Sequence, residues 1–321
     1  NRIDVNINDL KNKISNLDFV WATGGPWHVF DIANKINSLY NSKLVLDYRD
    51  PWTTKDKAVG VNRLSYYGDG IVGKIKYRFA QKREKTLLRQ ADIVCSVSKP
   101  LIENLKLIYP STNKYHIIAN GFDKDKYDSV INNKKELDFF QIIYVGSLYE
   151  EQVRMAKIFI TAFRCFANIN SKVRLLFVGN LSKYPTTFLK EIRENTSEVK
   201  IKLIDHQPKH VLKELISQSS ICLNFEYEGR SGVFPVKVFE YFEEKKMIFI
   251  ISSNNDMMAS AIKKTGTGVV LNSFEDIKLE LERSFKEWKN KGVCFLDPNI
   301  EELKKYSFDE QLFKFMTIIK Q

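Results

Sequence analysis

A loop between two apolar runs carries the residues whose types and spacing best suit a phosphate ligand. Residues 229–242 follow the apolar run 221–225 and precede a second one, 247–251. Pro235 suits the first turn of a helix, where its missing N–H costs little. The pattern therefore predicts strand, glycine-containing loop, helix and strand. Such a helix start offers free N–H groups and a favourable dipole to an anion.

Two ionisable residues of that helix share one face, because Lys237 and Glu240 are three positions apart. A lysine one turn into the helix can neutralise a bound phosphate, and a carboxylate one turn further on can accept hydrogen bonds from sugar hydroxyls. We therefore expect a sugar nucleotide here, with its diphosphate at the helix start. A solvated helix in an ordinary α/β sheet is the alternative.

Length and composition indicate a globular protein of two domains. The chain has 321 residues, at about 100–200 residues per domain, and 44% of them are hydrophobic. We expect the four widely spaced cysteines to be buried free thiols in a reducing compartment, three of them in strand-like surroundings and Cys165 in a helix. The four histidines show no metal-ligand spacing. No apolar run approaches the ~20 residues of a transmembrane helix, and no signal-peptide pattern is visible.

The positive charge of the chain is concentrated in its first half. The net charge is +11, and residues 1–135 contribute +9 of it, with 23 Lys and Arg against 14 Asp and Glu. A long basic helix is predicted from Lys74 to Gln90, and we expect it to contact anionic membrane lipid. A solvated helix face is the alternative, and nucleic acid is not expected, since no binding motif accompanies the charge. Its apolar residues would form one stripe: Ile75, Phe79, Leu87 and Leu88.

Strands alternate with helices in two blocks, which predicts right-handed βαβ units and parallel sheets. In the first block we expect strands at 18–22, 43–48, 92–97 and 115–119, and helices at 27–40, 74–90 and after Ser98. In the second block we expect strands at 139–145, 173–178, 199–204, 221–225, 247–251 and 269–271. Its helices are predicted at 153–169, 184–196, 208–218, 235–242, 274–290 and 308–320, with Ser307 as the last cap. The polar segment 123–138 is predicted to be the linker.

Seven phrases, in this order, resemble retaining glycosyltransferases of family 4, which have the GT-B fold. They are residues 46–52, 91–98, 117–123, 144–149, 176–179, 201–206 and 235–241. The resemblance runs from about Asp18 to the last helix. It implies an α/β protein with two Rossmann-like, doubly wound domains facing across a cleft, the nucleotide sugar on the second and the acceptor on the first. The expected domains are residues 1–136 and 137–306, and a C-terminal helix at 307–321 is expected to pack back toward the first.

The resemblance also implies roles for residues by position. Gly146 would let the donor phosphates approach the backbone, Lys237 would contact phosphate and Glu240 would bind the ribose. Loops at Asn180 and at His206 would flank the nucleobase. The expected donor-binding residues are Gly146, Ser147, Arg154, Asn180, His206, Gln207, Arg230, Ser231, Gly232, Val233, Lys237 and Glu240.

Three departures from the family pattern matter. Gly232 stands where the family often has a glutamate, eight residues before Glu240. Ser147 stands where the family usually has an arginine, and Arg154 or Arg230 is expected to replace it, because a guanidinium suits phosphate. The family's first strand and its glycine loop are not recognisable, so we expect the N-terminal domain to be incomplete.

Two residues in the strand-end loops of the first block are candidate catalytic residues. His28 is expected to contact the transferred sugar or the acceptor, with a surface histidine as the alternative. For Asp50, beside Arg49, two roles are open: it orients acceptor hydroxyls, or the pair forms an internal salt bridge that holds the loop, and the structural role is slightly preferred.

The resemblance, together with the charge of the first half, implies a cytoplasmic, retaining glycosyltransferase at the inner face of the membrane. It would move a sugar from a UDP-, GDP- or TDP-sugar to a glycan or lipid-linked acceptor, in a bacterial surface-polysaccharide or glycoconjugate pathway. No metal or other cofactor is expected. Two alternatives stay open: a GT-B epimerase or phosphorylase, and a non-catalytic, transferase-like binding subunit, which Gly232 makes conceivable.

Overall fold

The structure is a computed structural model, and it describes residues 13–54, 67–68, 70–130, 137–194, 200–229, 232–253, 256–294 and 296–320. Contacts divide the chain into two compact α/β units, Asn1–Ala119 with Lys314–Gln321, and Asn120–Phe313. The division precedes the segment 123–138, for which the sequence predicted a linker. Part of that segment is a helix, because the Asp123 carboxylate caps it by accepting a hydrogen bond from the Lys126 N–H at 3.2 Å.

Four parallel strands form the sheet of the first unit, in the order β1-β2-β3-β4. The strands are β1 Phe19–Thr23, β2 Lys43–Tyr48, β3 Ile93–Ser96 and β4 Tyr115–Ile117. The helices are α1 His28–Tyr40, α2 Ile71–Gln90 and α3 Lys99–Ile108. Because all four strands are parallel, the loops after β1, β2 and β3 lie at one edge of the sheet.

Six parallel strands form the sheet of the second unit, in the order β10-β9-β8-β5-β6-β7. The strands are β5 Phe140–Val145, β6 Val173–Val178, β7 Ile201–Ile204, β8 Ile221–Phe225, β9 Met247–Ile251 and β10 Gly268–Leu271. The helices are α4 Lys124–Ser129, α5 Glu150–Ile169, α6 Thr186–Glu194, α7 Lys209–Ser217, α8 Val236–Glu243, α9 Met257–Thr265, α10 Phe274–Lys291 and α11 Ile300–Lys304. A short 3₁₀ turn, Leu181–Lys183, follows β6.

The strand order of the second sheet reverses between β5 and β8. From β5 the chain proceeds outward through β6 and β7, and it then returns to the other side of β5 through β8, β9 and β10. In open parallel sheets, ligands bind at the carboxyl edge where the order reverses. The loop that starts at Gly146 and the loop from Glu226 to α8 both begin at this point.

Two apolar clusters, one on each face of the second sheet, make up its core. Ile142 and Tyr144 of β5 belong to one cluster, and Ile143 and Val145 belong to the other. This alternation follows from the two-residue period of a strand, and helices cover both faces. The core therefore holds the ends of β5 and β8 firmly in place.

The last helix, α12 Phe308–Lys320, begins in the second unit and ends in the first. Its start is capped as predicted, since the Ser307 hydroxyl accepts a hydrogen bond from the Glu310 N–H at 3.3 Å. Its final turns pack in the first unit, where Phe315 and Ile319 join an apolar cluster with Val45.

Among the described residues, the predicted elements are confirmed to within three residues at each end; the predicted ends at 196 and 199 lie outside the described residues. Three helices were missed, α4, α9 and α11. The apolar stripe predicted for α2 is wrong. Leu87 and Leu88 are buried, whereas Ile75 and Phe79 are exposed. The helix therefore has two separate apolar faces. The inner face, with Leu87 and Leu88, packs on the sheet of the first unit, and the face with Ile75 and Phe79 does not.

The cysteines are all free, as expected, but they are not all buried. Cys165 is exposed on α5, and Cys294 follows α10 rather than lying in a strand. In the part of the chain that the structure describes, no three His, Cys, Asp or Glu side chains form a group that could hold a metal ion. None of the described helices has the length and apolar character needed to cross a membrane.

Candidate functional site

Gly146 follows β5 with a backbone that favours glycine. Its φ is +103°, in the region that residues with side chains rarely adopt. A Cβ built on Gly146 would meet Cδ of Lys237 at 3.8 Å and its Nζ at 3.9 Å. The ammonium of Lys237, which comes from α8, therefore lies directly over the backbone at the end of β5.

The ammonium of Lys237 is held by an aromatic ring. Its Nζ lies 3.7 Å from the ring centroid of Tyr144, which is close enough for a cation–π interaction. Within the described residues it has neither an ion pair nor a hydrogen bond. Removal of water from the ammonium lowers the pKa of Lys237 well below its ordinary value. A desolvated cation without a counter-charge is costly, so this site favours an anion above Gly146.

The strand ends around Gly146 fix its backbone. The Tyr184 hydroxyl donates to the Gly146 carbonyl at 2.8 Å. At Gly179, which ends β6, an added Cβ would lie 2.4 Å from the same carbonyl oxygen. The two strand ends therefore approach too closely for a side chain at Gly179, and this close approach positions the backbone beneath Lys237.

Gln152 joins the two loops that meet at the strand reversal. Its side chain accepts a hydrogen bond from the Tyr149 N–H at 3.3 Å and donates one to the Phe225 carbonyl at 2.9 Å. The Tyr144 hydroxyl donates to the Ser147 carbonyl at 2.9 Å. Ser147 thus contributes its backbone carbonyl to the site. This hydrogen bond and the strand β5 together fix the Tyr144 ring beneath Lys237.

Glu240 lies one turn further along α8, on the same helix face as Lys237. It is half-buried, and among the described residues its carboxylate has no hydrogen-bond partner. Burial raises the pKa of Glu240, while the charge of Lys209 partly opposes this shift. It borders a small cavity of about 30 Å³ that reaches Leu212 of α7. A carboxylate in this position can accept hydrogen bonds from two neighbouring hydroxyls.

The loops after β6 and β7 are tied to each other. Asp205 accepts hydrogen bonds from the N–H groups of His206 at 2.8 Å and Leu181 at 3.3 Å. These bonds lower the pKa of Asp205. Asn180 caps the 3₁₀ turn by accepting from the Ser182 N–H at 3.1 Å. His206 lies next to these hydrogen bonds, and its side chain is exposed.

Arg154 is engaged with carboxylates of its own unit. It pairs with Glu226 and Glu228, at 3.2 Å in each case. Glu226 is buried and also accepts hydrogen bonds from the Ser252 hydroxyl at 2.8 Å and from the Ser253 N–H at 2.8 Å. The arginine therefore holds the loop after β8, and its charge is already balanced.

The remaining predicted donor residues belong to the loops around α8 and β7. Arg230 and Ser231 lie outside the described residues. Gly232 is buried with φ +73°, a conformation that disfavours the glutamate found there in the resembling family. Val233 is half-buried, and the Gln207 side-chain amide donates to the Asp205 carbonyl at 3.0 Å.

The two candidate catalytic residues lie in the first unit and in different surroundings. His28 is the first residue of α1 and borders a recess of about 690 Å³. Its Nε2 is removed from water and has no hydrogen-bond partner in the described structure. Asp50 is exposed and is not among the residues that line this recess. The predicted Arg49–Asp50 salt bridge is wrong, because Arg49 pairs with buried Asp47 at 2.8 Å.

Sequence reasoning assigned no role to several residues that build this site. Tyr144 could have been found, because it lies two residues before Gly146 and a strand places such residues on one face. Gln152, Tyr184 and Glu226 carry no comparable signal, because their partners are far away along the chain.

Comparisons with known proteins give a fold match without a family match. No protein-family model matches the chain, and no curated protein sequence matches it. Many solved structures do match. HepE from Anabaena in complex with UDP and glucose has a TM-score of 0.63 at 11% identity, over 98% of this chain and 81% of HepE.

Two other solved structures match the chain with similar TM-scores and coverage. A UDP-forming α,α-trehalose-phosphate synthase from Burkholderia xenovorans has a TM-score of 0.62 at 11% identity, over 98% of this chain and 76% of the synthase. A glycosyltransferase from Rickettsia africae has a TM-score of 0.63 at 17% identity, over 98% of this chain and 78% of that one. These matches are GT-B proteins, so the chain has the GT-B fold with two Rossmann-like units.

Proposed function

We propose that this protein is a glycosyltransferase that takes its sugar from a nucleoside diphosphate sugar. The observation that carries the proposal is Lys237, a desolvated cation over Gly146 at the strand reversal, without a carboxylate partner in the described structure. A diphosphate supplies the missing negative charge at this place. In the proposed complex, Glu240 accepts hydrogen bonds from the ribose, and the loops at Asn180 and His206 flank the nucleobase.

The matching structures support a uridine nucleotide as the first choice. The HepE structure holds UDP and glucose, and the Burkholderia protein is described as UDP-forming. We propose a UDP-sugar donor for this chain, with GDP- and TDP-sugars as the alternatives to test.

The proposed reaction proceeds with retention, as in the family that the sequence resembles. The bond between the anomeric carbon and the phosphate oxygen breaks, and a bond forms between that carbon and an acceptor oxygen on the same face. The departing phosphate takes the acceptor proton, and Lys237 stabilises the charge that develops on it.

The proposed chemistry uses no metal ion, since the ammonium and the helix N–H groups neutralise the diphosphate. Excess EDTA should leave turnover unchanged. Loss of turnover that magnesium or manganese restores would contradict this part of the proposal.

The proposed acceptor is a glycan or lipid-linked sugar at the inner face of the membrane, in a bacterial polysaccharide or glycoconjugate pathway. The support for a membrane location is α2, which exposes Ile75 and Phe79 and carries seven basic residues against one acid, Glu84. Such a helix is attracted to anionic lipid.

A donor panel tests the proposed activity. A thermal-shift screen with UDP, GDP, TDP and their sugars should show stabilisation by one nucleotide, since a ligand that binds only the folded state raises the melting temperature. Release of that nucleoside diphosphate from its sugar should increase when acceptor is added. Stabilisation without release would favour the non-catalytic binding subunit, and conversion of the sugar without transfer would favour an epimerase or phosphorylase.

A further inference from the structure

Helix α2 has an apolar face that points away from its own unit. Its inner face is buried through Tyr77, Ala80, Glu84, Leu87 and Leu88. The other face exposes four large apolar side chains: Ile71 at 78%, Val72 at 64%, Ile75 at 47% and Phe79 at 69%. At 100° per residue, these four positions fall within about one quarter of the helix circumference. Such exposure in one stripe marks a surface for an apolar partner.

Cations surround this stripe and are mostly unpaired. In the described structure, no ion pair is formed by Lys74, Lys76, Arg78, Lys82, Lys85 or Arg89. Arg83 differs, because it pairs with Asp31. The acid of this helix, Glu84, is buried and faces inward. A partner of this surface should therefore combine an apolar part with negative charge.

Beside the stripe lies the recess of about 690 Å³ that His28 borders. Its floor is aromatic, with Trp27 and Trp52 stacked at 5.4 Å and an interplanar angle of 6°. Lys76 and Arg83 also line it. The Arg83 guanidinium lies 5.7 Å from the Trp52 ring centroid.

The spacing along α2 joins the recess to the stripe. Lys76, Phe79 and Arg83 are three and four residues apart, so they form one row on the helix. Phe79 belongs to both the stripe and the recess lining. A ligand with a phosphate in the recess would therefore place an attached apolar chain directly along the stripe.

We propose that this recess binds the phosphate of a lipid-linked acceptor, whose chain lies along Ile71, Val72, Ile75 and Phe79. The proposal rests on the proposed transferase function and narrows its acceptor to a lipid phosphate or diphosphate. Lys76 and the unpartnered Nε2 of His28 contact the phosphate, and Arg83 closes the far side of the recess. A soluble glycan would supply neither the negative charge nor the apolar chain that this surface matches.

Bulk phospholipid headgroups share the phosphate chemistry, so the test compares two kinds of vesicle. Both are made of phosphatidylcholine, one doped with a polyprenyl phosphate and the other with phosphatidylglycerol at equal surface charge. The variants are Lys76→Glu, in the recess, and Lys85→Glu, which makes the same charge change on the same helix away from the recess lining.

On polyprenyl phosphate vesicles, Lys76→Glu should weaken sedimentation of the protein about tenfold, and Lys85→Glu by less than about threefold. On phosphatidylglycerol vesicles the two variants should be weakened equally, because only surface charge acts there. Phe79→Asp should reduce binding to both vesicles, since it removes apolar contact.

Equal weakening by both lysine variants on both vesicles would overturn the proposal and leave only attraction to a charged surface. Failure of the parent protein to prefer polyprenyl phosphate would overturn it too. Urea unfolding of each variant is the folding control for the first unit, and UDP titration checks that the nucleotide site of the other unit is intact. Absence of UDP binding in the parent would count against the proposed function, independently of the vesicle result.

Discussion

Two ionisable side chains with shifted pKa values, half-buried Lys237 in the second unit and buried Glu84 in the first, have different surroundings. One carboxylate oxygen of Glu84 accepts hydrogen bonds from the N–H of Thr53, at 3.2 Å, and from its hydroxyl. The ammonium of Lys237 has only the ring of Tyr144 and forms no hydrogen bond within the described residues. Burial shifts both pKa values toward the neutral form.

The difference separates a structural group from a binding group. One oxygen of Glu84 is bonded within its own unit, where it fastens α2 to the loop after β2, and a buried carboxyl can remain protonated. Lys237 is half-buried and lacks a partner of opposite charge among the described residues, and it lies at the edge where parallel sheets bind ligands. Binding of an anion offsets the free energy that desolvation of the Lys237 ammonium costs.

The largest expected effect is the pH dependence of stability that Glu84 causes. Burial raises the pKa of Glu84 from 4.5 to about 7. Below pH 4.5 the carboxyl is neutral in the folded and unfolded states, so its full contribution to stability is present. As the pH rises from 4.5 through 7, the unfolded state loses its proton first. The free energy of unfolding should therefore fall by about 3 kcal/mol over this range.

Glu84→Gln keeps the shape of the side chain and cannot titrate. Urea unfolding of this variant should show much less loss of stability between pH 4.5 and pH 7 than the parent. Identical pH profiles for the two proteins would mean that Glu84 is ionised in the folded state, and the contrast with Lys237 would disappear.

A second, smaller effect is expected from disturbing the backbone beneath Lys237 without touching the lysine. Gly179→Ala places a Cβ 2.4 Å from the carbonyl oxygen of Gly146, so the two strand ends must move apart. The free energy of unfolding should fall by about 2 kcal/mol, and UDP affinity should fall with it. Calorimetric titration and urea unfolding measure the two effects.

Gly70→Ala is the matched control, since an added Cβ there meets no atom of the described residues within 4 Å. It should cost less than about 1 kcal/mol at the start of α2 and leave UDP affinity unchanged. Equal nucleotide affinities for Gly179→Ala and the parent would show that the end of β5 is not part of the anion site.

The smallest effect is expected at Arg154, the other cation beside the loop after β8. It is already paired with Glu226 and Glu228 and is half-exposed. Arg154→Gln should lower stability by less than about 1 kcal/mol and change UDP affinity by less than about threefold. A tenfold loss of affinity in a well-folded variant would instead place Arg154 on the phosphate.

The sequence was sufficient to predict the strands and the helix that carries Lys237, because apolar runs and glycine loops are local signals. Examples are the apolar residues of β5 and the glycine loop that begins at Gly146. Helix α9 was missed because its start depends on a single cap, the Asp256 carboxylate that accepts from the Ala259 N–H at 2.8 Å. Helix α11 has only five residues and begins at a similar cap, Asn299.

Side-chain partners over long distances could not be predicted. Asp50 follows Arg49 directly, yet Arg49 pairs with Asp47, a buried residue near the end of β2. Arg154 was expected at a phosphate and instead meets two carboxylates more than seventy positions away. Such pairings depend on the three-dimensional arrangement of loops, which periodicity does not encode.

The most direct test of the central claim is calorimetric titration of the parent and of Lys237→Met with UDP. Hydrogen bonds to charged groups contribute roughly 1.5–3 kcal/mol, so the variant should bind about ten- to a hundredfold more weakly. The melting temperature of the ligand-free variant should not fall, since methionine fills the same space without a charge.

Lys278→Met, on the exposed side of α10, controls for the loss of one positive charge and should bind UDP like the parent. The predicted result is weak UDP binding for Lys237→Met and parent-like binding for Lys278→Met. UDP affinities that are equal in the parent and in a well-folded Lys237→Met variant would contradict the assignment of Gly146 and Lys237 as the diphosphate site.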